Sequence, residues 1–295
     1  GERAAALAGI GDLPAVGATV DSLIAAKDTA APWVDIVALV GAKDAEAASA
    51  LTDRLVAWAA LTPSYRGRLL LQDAERLTRI DAARGLARVH AVESVAAGTD
   101  QVAEAQMFLA RRRLLEVDHL DSLRVIAGEI AGMEEGAGAM MPMAQRLAQV
   151  ARKVAATADS LTPEVPQGDL RLFLAGELAR DSLGAPRLAA LQFRRIMDEW
   201  PASPFAPKAL LALLDLQPLD ADSLQARMRA TYTASPYLIA TDGGDSPQLG
   251  ELEDSLRRFV ANYQAGRSNA PRGTPAQRRP SQPNRPSTPT TEPQF

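Results

Sequence analysis

The sequence predicts an all-α protein, an α-solenoid of stacked helix pairs, and three observations predict it. The composition is 47% hydrophobic but only 4% aromatic. Alanine and leucine carry that apolar content, which favours close-packed helices over a β-sandwich. Apolar residues recur at three- and four-residue intervals, and no alternating stretch exceeds a few residues. Breaks between these stripes recur in the mid-thirties: Asp44, Asp81 and Asp118 are spaced by 37 residues. That is the length of two helices and two turns. One such hairpin cannot bury its own apolar face, so neighbours must stack on it.

Taken in order, Ala15, Val16, Val20, Leu23 and Ile24 form the first clear stripe, after a break at Gly11-Asp12. Gly41 to Asp44 form the next break, and Ala47, Leu51, Leu55 and Trp58 the next stripe. Leu114, Leu115, Leu120, Leu123 and Ile126 are interrupted by "EVDHLD", with Asp118 or Asp121 expected as the N-cap. Gly184 and Asp220 mark later breaks. Leu249, Leu252, Leu256, Phe259 and Tyr263 form a last stripe, opened by Ser246-Pro247 as cap and first helical proline.

The most informative stretch is "DLRLFLAGELARDSLGAPRLAALQFRRIMDEWPASPFAPKALLALL", from Asp169. One helix carries Leu172, Leu174, Ala175 and Leu178. Gly184 turns the chain, and a second helix carries Leu188, Ala189, Phe193 and Ile196. Pro201 ends the unit, Ser203 is expected to cap the next helix with Pro204 at its start, and Ala206, Ala209 and Leu210 begin its apolar face. Ser235-Pro236-Tyr237 repeats Ser203-Pro204-Phe205 after 32 residues. Residues 169–237 resemble the tetratricopeptide repeat (TPR), and "EWPASPFAPKALL" is similar to TPR-like proteins of the bacterial cell envelope, including outer-membrane assembly factors and cell-division coordinators. The usual aromatic of the first helix is displaced in several units. The organisation expected is a degenerate helical-repeat region over 1–160, TPR-like pairs and a terminal helix over 161–264, and a disordered Pro/Arg-rich tail over 265–295.

That tail, "AGRSNAPRGTPAQRRPSQPNRPSTPTTEPQF", holds seven prolines and almost no apolar residue. It cannot bury enough surface to offset its ordering entropy. Its five arginines against Glu292 give +4, which leaves −8 of the overall −4 for the residues before it. A mildly acidic chain gives no case for nucleic acid, whereas the basic tail suits an acidic partner or a peripheral membrane contact. No apolar run approaches the ~20 residues needed to span a bilayer. With no cysteine, disulfides, thiolate metal sites and a cysteine nucleophile are excluded.

No catalytic, cofactor or metal constellation emerges. His90 and His119 are the only histidines and share no ligand pattern. "GMEEGAGAMMPMAQRL" (132–147) lacks the lysine and preceding strand of a phosphate loop. Its Met133, Met140, Met141 and Met143 suit an adaptable apolar contact. Glu134-Glu135 and Asp198-Glu199 are acidic pairs placed where solvated charge is normal. "ATDGGDS" (240–246) lacks the ligand periodicity of a calcium loop. Trp33, Trp58, Trp200 and Tyr65 are expected packing anchors. Arg111, Arg112 and Arg113 fan out over one helix and offer an anionic contact. With Met140, Met141 and Met143, and with Arg272, Arg278, Arg279 and Arg285 of the tail, they are the candidate partner-binding residues.

The expected function is a non-catalytic scaffold or accessory subunit, bound to another protein or a multisubunit membrane complex. The resemblance implies the bacterial periplasm or membrane periphery and leaves the cytoplasm open. Two other readings are the helical superhelix of a peptidoglycan-acting enzyme, which needs a catalytic domain not found in this sequence, and an envelope peptide- or carbohydrate-binding protein, which needs more aromatics.

Overall fold

A computed structural model describes residues 2–133, 138–241, 243–244 and 246–268. Among them are fifteen α-helices and no strand, so the fold is all-α. None of these helices is long and apolar enough to cross a membrane. The helices are α1 (Glu2–Ile10), α2 (Leu13–Ala25), α3 (Trp33–Gly41), α4 (Ala45–Ala57), α5 (Pro63–Thr78), α6 (Ala82–Val95), α7 (Asp100–Glu116) and α8 (Leu120–Ala131), then α9 (Met141–Asp159), α10 (Gly168–Glu177), α11 (Pro186–Glu199), α12 (Ala206–Leu216), α13 (Ala221–Thr231), α14 (Tyr237–Thr241) and α15 (Pro247–Ser268). Two units are distinguished, Gly1–Gly244 with α1 to α14, and Asp245–Phe295, whose described helix is α15. In α15 the Ser246 hydroxyl accepts the Leu249 N–H at 3.2 Å, as the Ser-Pro start requires.

In the first unit most helices pack on their neighbours in sequence, α2 and α3 excepted, and α1, α3, α5 and α7 also pack on one another in series. The breaks are capped as their residues dictate. Asp44 accepts the N–H groups of Glu46 and Ala47, and Asp81 those of Ala83 and Arg84. The 37-residue register is also closed through space, because the Ser64 hydroxyl on α5 donates to the Gln101 amide oxygen on α7 at 2.7 Å. The third aspartate departs from the pattern. Helix α8 starts two residues after Asp118 instead of one, so His119 occupies the cap position and neither Asp118 nor Asp121 caps. Asp118 contacts His119 instead, at 3.5 Å.

Between α3 and α6 the interior carries charge. Asp73 on α5 is fully buried. It accepts from the Ser49 hydroxyl at 3.0 Å and from Arg88 Nε at 2.9 Å, and it pairs with Arg76. Arg88 also pairs with Asp53, and Arg84 with Glu46 through two bonds of 2.6 and 2.9 Å. Desolvation and the nearby Arg88 push the Arg76 pKa down. Gly41 makes room: a Cβ there would lie 2.5 Å from the Arg76 guanidinium.

The C-terminal pairs use aromatics instead. Phe173 on α10 lies 5.5 Å from Phe193 and 5.3 Å from Phe205 between ring centres, and all three are buried. Gly176 lets α11 approach, since a Cβ there would fall 2.7 Å from the Phe193 ring. Trp200 covers the joint by packing over Gly168. The joint is used twice. Ser203 N–H donates to the Trp200 carbonyl and Ser235 N–H to the Tyr232 carbonyl, each at 2.9 Å. The Ser203 hydroxyl accepts from Phe205 N–H at 3.0 Å, and that of Ser235 from Tyr237 N–H at 3.4 Å. Helix α12 begins at Ala206 with Pro207 in its first turn, later than the sequence suggests. Ser203 and Pro204 form a turn that carries Phe205 into the core.

Arginines link helices two apart. Arg195 donates to the carbonyls of Ala158 and Leu161 at 2.9 and 3.1 Å, at the end of α9. Arg227, 32 residues on, donates to the Met197 carbonyl at 3.1 Å, near the end of α11. Each satisfies carbonyls that a helix C-terminus leaves open.

Candidate partner-binding cleft

Helix α7 is the last helix to continue the α1–α3–α5 series before α8 and α9 pair with each other. One of its faces, Glu104, Met107, Phe108, Arg111, Arg112 and Leu115, follows the three-and-four spacing for three turns. That face lines a cavity of about 740 Å³. Leu71, Glu75 and Thr78 of α5 form a second wall, Met140 and Leu147 a third, and Ser182 to Gly184 a fourth. The volume falls within the range of ligand sites.

The fourth wall has a local cause. After α10 the chain makes a π-helical turn, Leu178–Ser182, in which Leu183 N–H donates to the Leu178 carbonyl at 3.1 Å. Gly184 then takes a φ of +63°, a conformation that costs other residues more. The widened turn sets Leu183 into the cavity floor with Met107 and Leu147. Such turns are frequent at functional sites.

The predicted contact residues divide. Arg111, Arg112 and Met140 all line the cavity. Arg111 donates to the Met143 sulfur at 2.7 Å, which brings Met143 to the same rim. A thioether is a weak acceptor for a guanidinium. Arg112 lies 3.3 Å from Glu116. Arg113 points elsewhere and pairs with Glu129 of α8. Met141 is half-buried at the start of α9 and is not among the lining residues. Arg272, Arg278, Arg279 and Arg285 lie outside the described residues, as do Glu134, Glu135, Asp242 and Asp245.

The remaining candidates are accounted for by packing or pairing. Trp33 is buried and meets Trp58 edge-on at 5.9 Å. The Tyr65 hydroxyl lies 3.5 Å from the Val34 N–H and 3.4 Å from the Ala31 carbonyl. Asp198 pairs with Arg227, and Glu199 with Arg195. His90 and His119 are both exposed. No group of metal-ligating side chains occurs among the described residues.

Sequence reasoning missed the other walls. Glu75, Glu104 and Phe108 read as ordinary helix positions, and nothing local shows that α5, α7, α9 and the π turn converge. The spacing of the α7 face was the available signal. Compared with protein-family models, with curated proteins and with solved structures, the chain matches none.

Proposed function

We propose that this chain is a non-catalytic scaffold, a stack of helix pairs that binds another protein through the α7 cleft. The observation that carries the reading is the convergence of Arg111, Arg112, Met140 and Met143 on one cavity with an apolar floor. Leu115 and Met143 are 42% and 38% exposed on its rim, and exposed apolar side chains grouped with arginine are what interfaces use. Serial packing of α1, α3, α5 and α7 supports the stacked-pair reading, since such arrays offer long surfaces without special site chemistry. The envelope placement rests on the resemblance of residues 169–237, and a contact between the basic tail and a membrane surface or acidic partner belongs to the same proposal. The test is affinity purification from the native host, comparing wild type with Arg111→Ala/Leu115→Ser. A co-purifying protein that the variant loses supports the reading. A partner set unchanged by the variant moves the binding surface away from the cleft, and fractionation of the host tests the compartment.

A further inference from the structure

A second concavity, of about 490 Å³, lies between the loop that joins α9 to α10 and the loop that joins α11 to α12. Pro163 and Pro166 line one side, and Trp200 and Pro201 the other. Prolines fix the backbone φ, and the first loop is closed by turns, the Val165 N–H donating to the Thr162 carbonyl at 3.0 Å and the Gly168 N–H to the Val165 carbonyl at 2.9 Å. The groove is therefore set before anything enters it, which lowers the cost of binding. Trp200 is half-buried, with its ring against Gly168. Its indole N–H finds no acceptor among the described residues. Three carboxylates border the groove, Glu164, Asp169 and Glu199, and no lysine or arginine is among the described residues that line it. Asp169 accepts from the Ser203 hydroxyl at 2.6 Å and Glu199 pairs with Arg195. Glu164 is exposed and forms no ion pair among the described residues.

We propose that this groove receives an extended, proline-rich segment of a partner protein that carries arginine. A polyproline II strand makes no internal hydrogen bonds, so its carbonyls are free to accept from the Trp200 indole N–H. Its prolines pack on the indole ring, which is why aromatic-lined grooves take such segments. Its arginines meet Glu164 and the carboxylates beside it. An acidic segment would face like charge here. A helix uses its carbonyls internally and would leave the indole N–H unmet. The groove shares no lining residue with the α7 cleft, so each assignment stands without the other.

The test is titration of the full, isotope-labelled chain with a synthetic peptide that has a Pro-x-x-Pro pattern and two arginines, followed by NMR of the indole N–H groups. The chain has three tryptophans, and Trp200→Phe identifies the Trp200 resonance. That resonance should move as peptide is added, while those of Trp33 and Trp58 stay in place. Replacing the peptide prolines by glycine should weaken binding at least about tenfold, because pre-organisation is lost. Glu164→Lys, an exposed change that leaves the fold intact by circular dichroism, should weaken it about two- to fivefold, and more at low salt than at high. A Trp200 resonance that does not move overturns the inference, as does a glycine peptide that binds as well as the proline one or a Glu164→Lys chain that binds undiminished at low salt. A probe that binds only the full chain carrying Arg278→Glu/Arg279→Glu/Arg285→Glu also overturns it, since the occupant would then be the chain's own tail and not a partner.

Discussion

Helices α3 to α6 and helices α10 to α14 add different chemistry to an apolar interior. In the first region the core of Trp33, Ile36 and Leu55 also holds an ionic cluster, in which buried Asp73 is held by Ser49, Arg76 and Arg88. In the second it holds an aromatic one, where Phe173 of α10, Phe193 of α11 and Phe205 just before α12 meet. An ionic cluster tolerates few replacements, because removing one partner leaves the others desolvated and unpaired. An aromatic cluster tolerates other apolar shapes, because its attraction has little direction. The two regions should therefore differ less in how much they contribute than in how they fail.

The largest effects are expected at the two centres. Asp73→Ala should cost about 3–5 kcal/mol by urea unfolding, since two arginines lose their buried carboxylate. A loss under ~0.5 kcal/mol would show that water reaches the arginines and that the cluster is not a core. Phe205→Ala should cost a similar ~3–5 kcal/mol, but Phe205→Leu only about 1.5 or less. If leucine is as damaging as alanine, ring geometry decides the joint, and the contrast with the ionic region weakens.

The same glycine-to-alanine change should give opposite signs in the aromatic region and on α2, next to the ionic one. Gly176→Ala pushes a methyl group into the Phe193 ring, so overpacking should cost about 1–3 kcal/mol. Gly17→Ala lies on α2 beside a cavity of about 160 Å³, where an added Cβ meets nothing within 4 Å. Removing a helix glycine there should raise stability by roughly 0.5–1 kcal/mol. Thermal melts of both variants check this, and a shift in the same direction would mean that one of the two sites is misassigned.

The smallest effect is one of pH. The hydrogen bond from Arg84 holds Glu46 below the usual carboxylate range against an opposing desolvation, with the charges of Arg84 and Arg76 helping. A lowered carboxylate pKa gives stability that is present above its unfolded value and is lost as pH falls through the folded one. The acid limb of a stability–pH curve should therefore flatten slightly in Glu46→Gln. Glu46 is exposed and screened, so a large change would mean that the variant disturbs Asp73 nearby.

Much of this architecture was legible because its determinants are local. Asp44, Asp81 and Ser246 announce helix starts through bonds to N–H groups two or three residues away, and the repeat of Ser203-Pro204-Phe205 at Ser235 marks the joint. Contacts between distant turns were harder to see. Phe173 reads as one apolar residue among leucines, and only the fold shows that it touches Phe193 and Phe205. Asp73 looks like a surface residue within a helix, because its partners Ser49 and Arg88 lie 24 and 15 residues away. The cleft was visible as isolated signals at Arg111, Arg112, Met140 and Met143. Its walls were not, because the helices that bound it lie as far apart as α5 and the turn after α10.

Most of the arginine links between helices two apart share a direction. Five run from the later helix to the earlier: Arg54 to Asp21, Arg84 to Glu46, Arg88 to Asp53, Arg195 to the end of α9, and Arg227 to the end of α11. Arg111 to Met143 and Arg194 to Asp220 run the other way. During synthesis the acceptor of each of those five links emerges before the arginine that binds it. A growing chain can dock each new pair on one already complete, as domains made N-terminus first tend to do. The order also separates two kinds of shortened chain. One that stops after α6 keeps both ends of each of its links, whereas one that starts at α10 carries Arg195 with no helix end to receive it.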